Sequence, residues 1–318
     1  MPEIVSINPI YYRPSGRLSA QGAVLAWLVM IPAAMLMGVA EVYALLFMHN
    51  IILSIFADVA SAFALGWLLA SLIRYGRIRN EGFATVLSLV SGSLMVYAAW
   101  ACWVMLYHGQ HLDALSSDNF TYAFDPNVLL FNLQHPLITW RGILDTEAHI
   151  SYDILYNTTN ISGPIVYVFW ALEWPMVCFL LWVLPSTQAV KVYCEASNEW
   201  AQEYKLPALE YISDPQQMRE ALERRDYTVL DRLELSSHAE MHGDTAGGEL
   251  YYSPHRYEFY LSLTNTRVNE QSAAARHLGG GVVAAAGKYS FDHIVDRITI
   301  SAAAGEKLLS RFQMGGGV

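Results

Sequence analysis

From Gly22 to Ile73 the chain carries no lysine or arginine and only two acids, Glu41 and Asp58. A stretch this long and apolar fits hydrocarbon, where about 20 residues of helix cross a bilayer and backbone groups must bond within the segment. His49-Asn50 is the only break in it. The break predicts two helices, 22–48 and 51–73, joined as an antiparallel hairpin. Further apolar runs over 84–107 and 164–184, the second flanked by Pro164 and Pro185, predict a third and a fourth span. Gly38-Val39-Ala40 has the small residues a signal peptidase needs. The run starts late, however, and continues past that site through Met48, so it reads as a retained anchor.

Charge sets the orientation. Arg13 and Arg17 precede the first span, and Arg74, Arg77 and Arg79 lie between the second and third. The segment 108–163 holds Arg141 against six acids. The positive-inside bias therefore puts both termini in the cytoplasm and 108–163 outside. The expected fold class is an α-helical membrane protein with about four spans and a small α+β C-terminal soluble domain. Its parts are a cytoplasmic segment over 1–21, a membrane domain over 22–185 and a cytoplasmic domain over 186–318. The expected location is a multi-pass position in the cell membrane, read as a bacterial inner membrane. Within the outer segment, Val128–Phe131, Leu137–Trp140 and Ile154–Tyr156 are apolar patches broken by Pro126, Pro136 and Gly142. They suit short amphipathic elements on the membrane surface or capping the bundle. Sequons begin at Asn119, Asn157 and Asn160 and matter only in a eukaryote.

The tail has a different composition. From Ser186 onward it carries 13 basic and 18 acidic residues. A net charge of −10 argues against nucleic acid, since phosphate binding needs clustered Lys and Arg. A helical stretch is expected over about 188–211. A second helix is expected over 216–225, after the capping pattern Ser213-Asp214-Pro215. His242-Gly243-Asp244 through Gly247-Gly248 reads as a loop. Glu249–Ser253 and Arg256–Thr264 read as strands around Ser253-Pro254, and Asp292–Ser301 as another strand. Gly305–Phe312 reads as a closing helix.

The acids inside the apolar spans are the most informative residues: Glu41, Asp58 and Glu173. An ionisable group in hydrocarbon is expensive, faces the bundle interior and marks a candidate functional site. Glu41 and Asp58 each lie eight residues from the His49-Asn50 break, roughly 12 Å down each helix at 1.5 Å per residue. Glu173 lies nine residues into the fourth span, so all three could share one layer. No Lys or Arg in the spans neutralises them, so the layer must be protonated, share protons or bind a cation. The bland reading is that they are neutral hydrogen-bonding groups between helices. His49, His108 and His111 are candidate metal ligands at the outer face, but no further ligand is fixed by spacing. The run Gly279–Lys288 resembles a phosphate loop but fails in spacing, and Tyr289 stands where a hydroxyl would hold magnesium. No nucleophile–His–acid order, HExxH motif or dinucleotide fingerprint occurs, which points away from an enzyme. No cofactor is implied, and interface anchoring accounts for most of the tryptophans.

Three short motifs resemble those of a group of bacterial inner-membrane proteins without assigned activity. They are Tyr11-Tyr12-Arg13-Pro14-Ser15-Gly16-Arg17, Arg77-Ile78-Arg79-Asn80, and Cys194-Glu195 with Trp200. The resemblance implies the membrane topology. It also implies a zinc-ribbon-like pair of cysteines three apart, of which this chain keeps Cys194 and has Ser197 in the second position.

The expected function is a non-enzymatic scaffold or interaction component of an envelope complex, with protein partners or a homo-oligomer besides the lipid bilayer. The alternative is an ion- or proton-handling membrane protein using Glu41, Asp58 and Glu173. A lipid-acting enzyme ranks third. Cysteines introduced at Ser117 and Ser237 should label from opposite sides of the membrane, Ser117 from outside. Labelling of both from one side would contradict the four-span topology.

Overall fold

The computed structural model describes residues 10–47, 51–109, 124–147, 152–153, 160–161, 164–236, 244–268 and 289–313. Contacts divide the chain into two units. One is Ser15–Val190; the other joins Met1–Pro14 to Lys191–Val318.

The first unit is helical. It contains α1 (Ala20–Phe47), α2 (Ile51–Tyr75), α3 (Glu81–Gly109), α4 (Pro126–Gln134), α5 (Pro136–Glu147) and α6 (Pro164–Ala189), with the paired strands β1 (Tyr152–Asp153) and β2 (Asn160–Ile161) between α5 and α6. Among the described residues, Ala20–Leu45, Ile55–Tyr75 and Glu81–Leu106 are three helices long and apolar enough to cross a membrane. Their outer faces expose Leu28, Leu36, Phe56 and Trp67, as helices in hydrocarbon can. α1 packs on α2 and α3, and α6 packs on the same two, so the four helices form a ring.

Each seam of that ring has a glycine set against the facing chain. A Cβ at Gly22 would lie 2.6 Å from the Gly76 carbonyl oxygen, and one at Gly38 would collide with the Met95 carbonyl oxygen. At Gly66 it would lie 3.0 Å from the Leu181 carbonyl, and at Gly92 2.8 Å from Cys178 Sγ. Small residues let membrane helices meet backbone to backbone, where dispersion replaces the hydrophobic drive that lipid does not supply. Tryptophans also bridge this ring: Trp174 Nε1 donates to Ser93 Oγ and Trp182 Nε1 to Thr85 Oγ1, both at 3.0 Å. These two rings therefore serve the α3–α6 seam in addition to any interfacial role.

The short connection after α2 turns on Arg77, whose φ is 51°. Asn80 Oδ1 accepts from Phe83 N and caps α3. The Asn80 amide donates to the Gly16 carbonyl, and Arg79 N donates to the Arg17 carbonyl. Two of the recognisable sequence motifs thus meet. α4 begins at the Asp125 cap, whose side chain accepts from Asn127 N and Val128 N. α4 is pinned to α3 by Asn132, whose amide donates to the Ala101 carbonyl, and by Tyr97, whose hydroxyl donates to the Asn132 carbonyl. Leu129 joins the core formed by Val42, Ala99, Cys102 and Met105. Ile154–Tyr156 lies outside the described residues.

The second unit is an antiparallel sheet covered by helices. β5 (Gln202–Lys205) and β6 (Leu209–Glu210) share one edge of β7 (Thr245–Tyr252), followed by β8 (Phe259–Val268) and β9 (Tyr289–Ile300). The β7–β8 hairpin pairs Tyr252 with Phe259 across the 253–258 turn. One sheet face is apolar: Leu250, Phe259, Leu261, Leu263, Ile298 and Ile300 pack with α7 (Pro215–Glu223) and α8 (Ala302–Gln313). Asp214 caps α7 by accepting from Gln217 N.

Two expectations are corrected. The stretch 188–211 is not a helix: after α6 ends at Ala189 it forms β3 (Tyr193–Cys194), β4 (Glu199–Trp200), β5 and β6. Pro207 bars a helix interior there, and β7 offers its open edge, so ladder pairing overrides local propensity. Gly247 and Gly248 lie inside β7 rather than in a loop, paired with Thr264 and Leu263. His242-Gly243 and the run Gly279–Lys288 lie outside the described residues.

The sequence pattern gave no sign of the last strand. Tyr11 bridges Ile298, Tyr12 N donates to the Arg297 carbonyl and Thr299 N to the Ile10 carbonyl, so the N-terminal segment extends the sheet beyond β9. Tyr11 donates its hydroxyl to Glu223 Oε1 at 2.6 Å. Burial, reinforced by that carboxylate, pushes the phenol up to about 12. Its contribution is present below the ordinary tyrosine range near ~10 and is lost as pH rises through about 12. Tyr12 accepts from Tyr193 N and lies edge-on to Tyr260. In the isolated fragment 191–313 the Thr299 amide should exchange hydrogen faster than in the full chain, by the loss of about 1 kcal/mol per hydrogen bond. Equal protection would show that the N-terminal strand does not hold the edge of β9.

Candidate functional site

The glycine seams set the helix register, and the register sets the depth of each acid. Glu41 lies 19 residues beyond Gly22 on α1, and Asp58 lies 18 residues before Gly76 on α2. Those two glycines touch, so the two acids stand at nearly the same level. Asp58 lies eight residues before Gly66, and Glu173 eight residues before Leu181, on which Gly66 sits. Three helices thus deliver one carboxyl each to one layer.

The side chains meet there. Glu41 is 6% exposed and Asp58 8%. Those two side chains lie within hydrogen-bonding reach of each other, and Glu173, half-buried, is within electrostatic reach of both. A hydrogen bond between two carboxyl groups exists only when one of them carries a proton, because two carboxylates have acceptors and no donor. Glu41 Oε1 is buried and has no hydrogen-bond partner among the described residues. α3 lines this level with buried Ala98, Ala99 and Cys102, which bring no cation.

Two buried hydroxyls on α3 escaped the sequence reading. Ser71 and Ser93 donate to the carbonyls of Trp67 and Leu89, four residues back, the usual arrangement for a helical serine in an apolar setting. Ser88 and Ser91 are fully buried and make no such bond; their oxygens have no partner among the described residues. Hydroxyls three apart inside an apolar span were the signal available.

The histidine candidates are not brought into a site. His49 and His111 lie outside the described residues, and only the helical backbone of His108 is described. Among the described residues, no three His, Cys, Asp or Glu side chains are grouped to hold a metal. Nor do the β3–β4 residues fit a structural zinc. Burial, helped by the Glu258 carboxyl, pushes the Cys194 thiol up to about 12; Cys194 is a lone sulfur there, since Ser197 supplies none, and a structural zinc takes four ligands. That hairpin is held instead by Tyr193, whose hydroxyl donates to Asn198 Oδ1 and whose ring meets Trp200 edge-on.

Compared with known proteins, the chain matches no family model, no curated protein and no solved structure. The acid layer therefore stands on its own geometry. Asp58→Asn should leave the bundle folded, because an amide retains the hydrogen bond to Glu41. Asp58→Leu should lower its unfolding free energy in detergent by roughly 1–2 kcal/mol. Equal stability of the two variants would show that the carboxyl pair contributes no interhelical bond.

Proposed function

We propose that this chain is a multi-pass membrane protein that handles protons or other cations at the layer formed by Glu41, Asp58 and Glu173. One observation carries the reading: Glu41 Oε1 is buried without a partner beside a carboxyl pair. Carboxyls that served only to join helices would satisfy their oxygens, since leaving a buried acceptor open costs about 1–3 kcal/mol. An open acceptor in an acid cluster is instead a place for an arriving charge.

The membrane arrangement behind this reading is four spans with both termini in the cytoplasm of a bacterial inner membrane. A strand pair cannot form across a bilayer, so the pairing of Ile10–Tyr12 with β9 supports an even number of crossings between Ser15 and Val190. With three apolar helices counted, α6 is the candidate for the fourth; its 26 residues span about 39 Å at 1.5 Å each. Four spans are few for a complete transporter, so the reading calls for an oligomer or partner subunits.

A second reading is the non-enzymatic scaffold of an envelope complex, and β5 favours it. This edge strand exposes Gln202, Glu203 and Lys205 and carries backbone groups that an extended segment of another protein could pair with. Its charges limit indiscriminate pairing.

Purified protein in liposomes that enclose a pH-sensitive dye separates the two. Under an imposed potential, the wild type should move protons or cations and Asp58→Asn should fold yet lose the flux. Wild-type vesicles no leakier than empty ones would remove the ion-handling reading and leave the scaffold.

A further inference from the structure

α3 packs on both α5 and α6, and a groove lies between the three helices. Its volume is about 550 Å³, within the range of roughly 300–1,000 Å³ typical of ligand pockets. Tyr97 and Trp100 of α3, Trp140 of α5, and Ala171 and Trp174 of α6 line it. We infer that this groove holds one acyl chain of a membrane lipid. The assignment needs α3 in a membrane; it needs neither ion flux nor a protein partner.

The groove's place decides what reaches it. Tyr97 and Trp100 lie inside Glu81–Leu106, one of the three helices long and apolar enough to cross a membrane. They stand 16 and 19 residues beyond Glu81, roughly 24 and 28 Å along the axis at 1.5 Å per residue. That is the half of α3 remote from the arginine-bearing connection at 74–79. Beside the groove, α4 and α5 expose Phe131, Leu137, Ile138 and Trp140, and α6 exposes Leu172. Apolar surface on both banks puts hydrocarbon rather than water at the mouth. Among the described residues, no charged side chain lines the groove.

The walls decide which part of a lipid enters. Trp174 Nε1 donates to Ser93 Oγ, and Ser93 Oγ donates to the Leu89 carbonyl. The Tyr97 hydroxyl donates to the Asn132 and Leu133 carbonyls. These donors are spent inside the protein. A headgroup phosphate or a quinone carbonyl would enter without the bonds that repay its desolvation. A hydrocarbon chain asks for none. It meets the tilted rings of Trp100 and Trp140, whose centroids are 6.1 Å apart, and gains dispersion contact along walls that an empty groove would leave without neighbours. Water is the poorer filler, because a buried water needs roughly 2–4 polar partners.

Photolabelling of the full-length protein tests this. The protein is reconstituted in phosphatidylcholine vesicles doped with phosphatidylcholine that carries a diazirine on one acyl chain. It is then taken into mild detergent before irradiation, so that loosely surrounding lipid is exchanged. Peptide mapping should find the label retained on the peptides holding Tyr97–Trp100 and Trp140. On the peptides holding Leu36 and Phe56, which face only the surrounding lipid, it should fall severalfold relative to irradiation in the vesicles. Ala171→Trp fills the groove from an exposed position on α6. It should cut the retained label severalfold and leave thermal unfolding in detergent near that of the wild type. If that variant does not fold, the wild-type comparison between the two sets of peptides decides alone. Equal loss of label from both sets would overturn the site, since the groove would then meet only surrounding lipid. Undiminished label in a folded Ala171→Trp variant would overturn it too. Stronger groove labelling by a probe with its diazirine on the headgroup, or displacement of the label by a short-chain benzoquinone, would overturn the acyl-chain assignment.

Discussion

Backbone contact at glycine is the constraint from which the rest of the membrane unit follows. In lipid, apolar side chains gain nothing by leaving solvent, so helices hold together by close packing and by the few polar bonds they can make. Gly22, Gly38 and Gly92 sit near enough to the facing chain that a single methyl would collide with it, and at Gly66 a methyl would be tightly crowded. A seam that tight has one register. Sliding a helix by one turn would lift the glycine out of its seat and set a side chain against a carbonyl. The register in turn fixes where polar groups on different helices meet.

The acid layer uses that precision. Isolated in hydrocarbon, each of Glu41, Asp58 and Glu173 would oppose insertion. Brought to one level, two of them lie within hydrogen-bonding reach of each other, and the third lies within electrostatic reach of both. The compensation is incomplete, and the incompleteness is informative. Glu41 Oε1, Ser88 Oγ and Ser91 Oγ are buried polar atoms left without partners among the described residues, in a bundle where Ser71, Ser93 and Ser186 return their hydroxyls to the backbone. Folded proteins tolerate few such atoms.

What the sequence disclosed depended on whether the signal was local. Apolar runs marked the three candidate spans, because hydrocarbon imposes length and composition on a single segment. Alternation and the Ser253-Pro254 turn marked the β7–β8 hairpin, and Asp214-Pro215 marked the start of α7. The strands over 193–210 were misread as helix because each is only two to four residues long and exists by virtue of β7, remote in sequence. Ile10–Tyr12 was invisible as a strand for the same reason: its partner is nearly the whole chain away. The acids stood out as charges in apolar spans. Their common depth was argued from His49-Asn50, which lies outside the described residues; the geometric basis for it is the Gly22–Gly76 contact at the opposite end of the hairpin. Ser88 and Ser91 look ordinary in sequence, since only the folded bundle tells a hydroxyl bonded to its own helix from one that is not.

The direct contact between Glu41 and Asp58 is the claim on which the rest turns, and a double-mutant cycle measures it. Unfolding free energies in mild detergent would be determined for the wild type, Glu41→Ala, Asp58→Ala and the double variant. Two carboxyls joined by a proton should couple by about 1 kcal/mol, so that the second substitution costs little once the first is made. Single effects that add to within about 0.3 kcal/mol would mean that the carboxyls do not meet, and the acid layer would have no basis as a site.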